Sequence, residues 1–533
     1  MRSEPTNLHP AKIPIVVGVT GHRQVRPADE PALMKAVTEA LLRIRSRAPH
    51  SPICMLNSLA EGADLLCADA AKTLSIPLLV ALPTDAETYT KHFSEADRAR
   101  FRAHCADAET VFVAPATEIA PEKPDTDFGY RQAGIYVASH SHVLLALWDG
   151  DDTKKDGCGT AAAVHFALEG RYLSPDALPT RDRSNEAVVH ILCPRGEQTE
   201  GAGTVRVLGD EKAVAEILER TDAFNRLSEK QGDVPAPEPF READDPQLTR
   251  TARLYAAADA LSMAAAKTFH RVLALLALVG TALTIAFLLY DEAELHWLIG
   301  AVGAMLLCAV FIYRFASRSD CHRRYIECRV LAECLRVQLF LRYAGSSAEV
   351  SSLLPLTQRA DTKWILCALC AVSAGEPPKA HHAIRGLWVE EQQRYHARAA
   401  GKTALRLKSS GRIVRVALIG SALVYVGVLL FEILIAVGVF SPADPNVWRA
   451  ALKIVLGTLS AGTLFIANYY GKQSLSRKAS DHAKMAKYYR DMAARLMALG
   501  ETDAQLRLLA REELIENGHW LAYQSDNAPD IVF

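Results

Sequence analysis

The 533 residues predict two fold classes in one chain: an α/β, Rossmann-like, doubly wound and mostly parallel sheet first, and an all-α membrane region after it. Three observations carry this. Short apolar runs, partly β-branched, occur at 13–19, 53–56, 77–82, 110–113, 143–148 and 188–192, with helical patterns such as 30–47 and 62–74 between several of them. Strands alternating with helices imply parallel pairing and helices on both faces. The second half then holds long stretches with few charges, each near the roughly 20 residues that a spanning helix needs.

The elements of the membrane half follow in order. Spans are predicted at about 272–290 and 297–315, joined by the short acidic link 291–296, and at about 415–440 and 447–470, joined by Ser-Pro-Ala-Asp-Pro-Asn. Links this tight imply two antiparallel hairpins. Lys267, Arg271, Arg314, Arg318, Arg323 and Arg324 flank the first pair, and Arg406, Lys408, Arg412, Lys472, Arg477 and Lys478 flank the second. The links carry no comparable cluster, so the positive-inside rule places both termini in the cytosol. The N-terminus shows no signal peptide, which agrees. Glu432 and Lys453 fall inside the second hairpin, about ten residues from its turn, where they are expected to pair or to line a pore. Amphipathic helices at 325–343 and 481–498 follow the two hairpins, so that one unit reads as used twice. The predicted domain order is 11–225 for the α/β domain and 226–250 for a linker. Next come 251–345 and 346–505, each with one hairpin and its helices, and 506–533 as a tail.

The charge balance, 60 basic against 61 acidic side chains, excludes a general nucleic-acid binder. The eleven cysteines show no disulfide spacing. Cys367 and Cys370 form a CxxC without the second ligand pair that zinc requires, and no metal site is expected.

In a parallel sheet, ligands bind beyond the carboxyl ends of the strands. Thr20, Gly21, His22 and Arg23 end the first strand; Ser58, Leu59, Ala60, Glu61, Gly62 and Asp64 end the second and open a helix. Pro83 ends the third, Trp148 and Asp149 the fifth, and Gly157, Gly159 and Thr160 open a further helix. Glycines permit close backbone approach, and a helix N-terminus offers N–H groups to phosphate. Arg23 adds a bidentate donor, and Glu61 and Asp64 add acceptors for ribose hydroxyls. There is no Walker loop and no GxGxxG fingerprint, which argues against an ATPase or an ordinary dehydrogenase.

Gly-Val-Thr-Gly-His-Arg (18–23), Ser-Leu-Ala-Glu-Gly-Ala-Asp (58–64), Gly-Tyr-Arg-Gln-Ala-Gly (129–134), Leu-Ala-Leu-Trp-Asp-Gly (145–150) and Gly-Cys-Gly-Thr (157–160) together resemble the SLOG superfamily over about residues 11–210. Architecture at about 250–505 resembles the SLATT type of membrane effector. These resemblances imply a sensor that binds a nucleotide-derived signal, cyclic or ADP-ribose-like, with Arg131 among its ligand-facing residues. They also imply an inner-membrane, homo-oligomeric effector that forms a pore or disrupts the bilayer in antiviral defence, with no cofactor besides the signal. LOG enzymes of the superfamily carry a glutamate where Ala163 stands here, so a sensor is expected rather than an enzyme. Two alternatives stay open: a membrane-tethered nucleotide hydrolase using Glu61 or Asp64, and a constitutive channel or scaffold.

Overall fold

Alternate side chains of strand β1 (Ile15–Gly21) enter opposite cores. Ile15, Val17 and Val19 join one apolar cluster and Val16 joins another. The pleat sends successive residues to opposite faces, so a strand apolar at every position must be covered on both sides. In this computed structural model, residues 11–116, 126–154, 157–169, 187–196, 201–293, 295–355, 362–379, 381–440, 442–472 and 475–526 are described.

Seven strands form the sheet in the order β4-β3-β2-β1-β5-β6-β7. They are β1, β2 (Ile53–Asn57), β3 (Leu78–Leu82), β4 (Thr110–Val113), β5 (Val143–Trp148), β6 (Val188–Leu192) and β7 (Val205–Leu208). All pairings are parallel except β6 with β7. Six of the seven strands are those the sequence predicts. The short β7 escapes because its alternation, Val-Arg-Val-Leu, covers only four residues.

Helices α1 (Glu30–Arg47), α2 (Ala63–Thr73), the single turn α3 (Ala86–Tyr89), α4 (Glu95–Asp107), α5 (Thr126–Ser139), α6 (Thr160–Glu169) and α7 (Glu211–Gln231) complete the α/β part. α1, α2, α4 and α7 supply the first cluster, while α5 and α6 supply the second. The chain leaves β1 toward β2, β3 and β4, then crosses back to β5 on the other side of β1. That reversal makes the β1–β5 junction the sheet's switch point, where a crevice opens.

The helical region contains α8 (Pro246–Glu292), α9 (Leu298–Ser319), α10 (Cys321–Tyr343), α11 (Val350–Leu353), α12 (Lys363–Ser373), α13 (Glu391–Ala436), α14 (Pro445–Lys472), α15 (Leu475–Leu499) and α16 (Asp503–Asp526), with a π-helical turn Arg385–Glu390 leading into α13. Asp245 starts α8 by accepting from the amides of Gln247 and Leu248. Four helices are long and apolar enough to cross a membrane: Pro246–Glu292, Leu298–Tyr343, Arg385–Ala436 and Pro445–Ala467. Their apolar side chains are outward, Leu307 at 73% and Phe311 at 72% exposure, as lipid-facing residues would be.

The chain divides into two compact units. One holds Met1–Leu261, Glu327–His382 and Asp503–Leu521; the other holds Ser262–Ile326, Ala383–Thr502 and Ala522–Phe533. In the first unit, the stretch expected to be a C-terminal tail is helical to Asp526 and buries Leu509, Ala510 and Leu514. Arg336 of α10 pairs there with the buried Glu513 of α16. Residues 527–533 of that tail lie outside the described residues. Of the expected linker 226–250, the first residues belong to α7, which continues to Gln231, and the last to α8, which begins at Pro246. Cys367 and Cys370 are buried positions on α12 and are not joined in a disulfide. Among the described residues no group of three or more His, Cys, Asp or Glu is placed to hold a metal.

In the second unit, α8 and α14 meet through glycines. A Cβ on Gly280 would lie 2.7 Å from the Phe465 ring, and one on Gly457 would lie 2.7 Å from Leu288. Small residues let apolar helices approach where no hydrophobic effect drives them together. The expected Glu432–Lys453 pairing does not form. Glu432 makes a bidentate pair with Arg449 at 2.7 Å on both oxygens, and Lys453 pairs with Glu292 at 3.1 Å. The reason is where α13 stops. Gly438 adopts a left-handed φ of 76°, and the amides of Val439 and Phe440 turn back to the Leu434 carbonyl. Glu432 therefore lies one turn from the end of its helix, opposite Arg449 one turn into α14, rather than deep in a span.

Candidate functional site

A crevice of about 450 Å³ opens at the carboxyl ends of the strands, in the first unit. Five of the chain segments in its wall are ones the sequence singles out. β1 contributes Thr20 and Gly21, followed by His22 and Arg23; the β2–α2 turn contributes Ser58, Ala60 and Asp64; β3 is followed by Pro83. Trp148 and Asp149 end β5, and Gly159 and Thr160 open α6. Leu59, Glu61, Gly62, Arg131 and Gly157, also singled out in the sequence, are not in its wall.

Each of those five has a physical reason for its place. Leu59 is fully buried and holds a left-handed φ of 54°, so it shapes the turn from beneath. Glu61 turns outward and accepts from the Ser94 amide at 2.8 Å, the residue that caps α4. Arg131 lies over the Phe128 ring, 5.6 Å from its centroid. Gly157 is exposed one residue before the half-exposed Cys158. Gly62 is a packing device. Its φ is +80°, and a Cβ there would sit 2.3 Å from the Arg23 carbonyl oxygen. Gly21 plays the matching part, since its Cβ would meet Ala63 Cβ at 2.4 Å. These two glycines, with the Ala63 amide donating to the His22 carbonyl at 3.0 Å, clamp the start of α2 onto the end of β1. Gly62→Ala adds both a wrong φ and a backbone clash. It is expected to destabilise the unit by about 3 kcal/mol, read as a drop in urea midpoint at unchanged slope.

The wall also holds residues that the sequence does not single out: Tyr89, Asp127, Tyr130, Asp151, Cys158 and Arg195. Tyr130 was findable. Along α5, Asp127, Tyr130, Ala133, Gly134 and Val137 fall three and four apart and share the face toward the crevice, and position 131 does not. Arg195 was findable too, because it follows the end of β6 as Arg23 follows β1. Tyr89 sits on the single turn α3 and carries no comparable signal.

Charge in the crevice is mixed. The Arg23 guanidinium lies over the Tyr130 ring, 4.8 Å from its centroid. His22 Nε2 lies 3.1 Å from the Asp149 amide nitrogen and 3.2 Å from the Asp149 carboxylate. Burial holds the His22 pKa below its ordinary value. Trp148 is 5% exposed and tilts against His190, which makes it mainly a core side chain. Asp64 is also 5% exposed. Its Oδ2 accepts from the Ala60 amide at 3.3 Å, and its buried Oδ1 has no hydrogen-bond partner. Burial pushes this carboxyl up to about 7. Ala163 lines the crevice with a methyl group.

Comparison with known protein families gives no match for this chain, and comparison with curated proteins gives none either.

Proposed function

We propose that the α/β unit binds a nucleotide-derived signal and that the apolar helices respond to it in the membrane. The observation that carries this reading is the crevice at the β1–β5 switch point, with the α6 N-terminus and two arginines, Arg23 and Arg195, on its wall. Backbone N–H groups at a helix start and guanidinium groups are what a phosphate requires. The crevice volume suits a mononucleotide or an ADP-ribose-like molecule. The motifs that resemble the SLOG superfamily supply the wall residues, which is the second support.

In this reading the protein is a homo-oligomeric effector of a bacterial inner membrane. Its four apolar helices form two hairpins with cytosolic termini, and ligand binding opens a pore or disrupts the bilayer in antiviral defence. The ligand must bind the active arrangement more tightly than the resting one. A specific tie fits such a response. Near its C-terminal end α5 also holds the segment that joins α10 to α13. Tyr136 exchanges hydrogen bonds with Gly375, receiving from its amide at 3.1 Å, and His140 Nε2 lies 2.9 Å from Glu349.

A second reading, a membrane-tethered nucleotide hydrolase, draws on Asp64. A carboxyl near 7 suits a general acid or base. The methyl group of Ala163 favours binding over hydrolysis.

The test uses the full chain, because the first unit includes 327–382 and 503–521 as well as the α/β residues. The protein is reconstituted in dye-loaded liposomes and given AMP, NAD, ADP-ribose and cyclic nucleotides. A ligand at 100 times its Kd should add about 2.7 kcal/mol of stability and release dye. No thermal shift with any of them would sink the sensor reading. Turnover that disappears in Asp64→Asn would favour the hydrolase.

A further inference from the structure

Asp64 is held in place by the β2–α2 turn. The Asn57 side chain donates to the Asp64 carbonyl at 2.8 Å and receives the Leu59 amide at 2.7 Å, locking both ends of the β2–α2 turn. Leu59 and Gly62 take left-handed backbone conformations to complete it. Strain of this kind persists where the surroundings over-determine a conformation, and it gathers at ligand sites. What the turn presents to the crevice is a carboxyl with one oxygen on a long hydrogen bond and the other without a partner. An acceptor left bare in a buried place destabilises the fold, so a structure that keeps one has a use for it.

The rest of the wall narrows that use. Arg23, Arg195 and the α6 N-terminus attract the anionic end of a ligand, and Asp64 on the far side of β1 can only accept or, when protonated, share a proton. The group that meets its ionised form must bring a donor. In a nucleotide, the sugar hydroxyls are donors on flexible bonds next to the phosphate ester. The last torsion of an aspartate is soft, so rotation turns either oxygen to the crevice.

We propose that Asp64 accepts a hydrogen bond from a ribose hydroxyl of the ligand and so selects ribonucleotides against their deoxy counterparts. This rests on the nucleotide reading above and adds the sugar as the part that is read. A site built to bond a hydroxyl rejects the analogue lacking it, because its own buried group is then left unpaired.

The experiment measures binding of AMP, ADP-ribose and their 2′-deoxy and 3′-deoxy counterparts to the full-length protein in nanodiscs. Wild type should bind the best ribo-compound at least about 100-fold more tightly than one of its deoxy forms. In Asp64→Ala that preference should fall below about threefold. Asp64→Asn keeps the shape of the side chain, and its thermal transition shows whether the fold is intact if the alanine variant fails. In Asp64→Asn the preference should shrink by at least tenfold. Equal binding of ribo- and deoxy-compounds by wild type overturns the role of Asp64 and leaves the nucleotide reading standing. An undiminished preference in both variants does the same. Failure of every compound to bind wild type overturns the nucleotide reading and this inference with it.

Discussion

Asp64→Asn is expected to make the protein more stable at pH 8 by about 2 kcal/mol, and to leave its stability nearly unchanged at pH 5. The sign follows from the carboxyl's position. Burial holds it at about 7 in the folded protein, against about 4 for an unfolded aspartate. Between those values the folded state binds more protons than the unfolded state, so the contribution of Asp64 to stability declines as pH rises through that window. Above pH 7 the whole cost is present, about 1.4 kcal/mol for each pH unit that separates the folded carboxyl from the unfolded one. Asparagine removes the charge but brings its own unsatisfied amide, which reduces the gain to roughly half. Asp503 titrates the opposite way. In Asp503 the hydrogen bonds from Ser346 and Arg507 outweigh burial, and the carboxyl sits below the ordinary value. Such groups are the same in both proteins and cancel in the difference. The measurement is therefore wild type minus variant, by denaturant unfolding from pH 5 to pH 8. A difference that stays flat across this range would mean that Asp64 ionises as an ordinary surface aspartate.

The same substitution separates stability from use. A residue whose removal stabilises the fold is being kept for another reason, and binding sites are where such residues collect. Asp64→Asn would then show opposite effects in two assays, a higher melting temperature and weaker ribonucleotide binding. A purely structural aspartate gives both effects the same sign.

Much of this was legible in the sequence, and the parts that were not have identifiable causes. Strands such as 143–148 are apolar at every position and bounded by turn residues, so periodicity and composition agree. The crevice edge was legible because strand ends in a parallel sheet converge, which places Thr20, Ser58, Pro83, Trp148 and Thr160 on one wall whatever their spacing in the chain. Direction within a turn was not legible. Glu61 and Asp64 are both acidic and three residues apart, yet one caps a neighbouring helix and the other faces the crevice. Only the left-handed backbone at Leu59 and Gly62 decides between them, and neighbouring residue types do not reveal it. Partner choice among membrane charges failed similarly. Counting from the turn matches Glu432 to Lys453, but the helix stops at Ala436, four residues sooner than the apolar run, and Arg449 comes into register instead. The return of 346–379 and 503–521 to the α/β unit left no mark at all, because a buried helix such as Lys363–Ser373 reads as apolar wherever it packs.

That return supplies the second large effect. Tyr136→Phe is expected to preserve nucleotide binding within about threefold while abolishing nucleotide-evoked dye release, if the signal passes through α5. The helix has two working regions. Tyr130, Ala133, Gly134 and Val137 form part of the crevice, whereas Tyr136 and His140, nearer the C-terminal end, meet the segment that follows α10 and are stacked with ring centroids 3.9 Å apart. There the Tyr136 hydroxyl accepts from the Gly375 amide, and both ring nitrogens of His140 face acceptor oxygens, Tyr136 O at 2.9 Å and Glu349 at 2.9 Å. A ligand that draws Tyr130 and Arg23 inward must shift or tighten α5, and a packed helix moves as a body rather than bending at one residue. The segment fastened to it is the one that leads from α10 to α13, so the displacement enters the chain between the two pairs of apolar helices. Removing the hydroxyl frees Gly375 and leaves its amide without this acceptor, at a cost of about 1–3 kcal/mol to the unit. The crevice face keeps all of its atoms, so affinity should hold. Parallel binding and dye-release curves on the reconstituted protein make the distinction. Loss of binding together with release would point to general damage. Release at wild-type levels would show that α5 is not the route, and would turn attention to α8, α10 and α16, each of which contributes residues to both units.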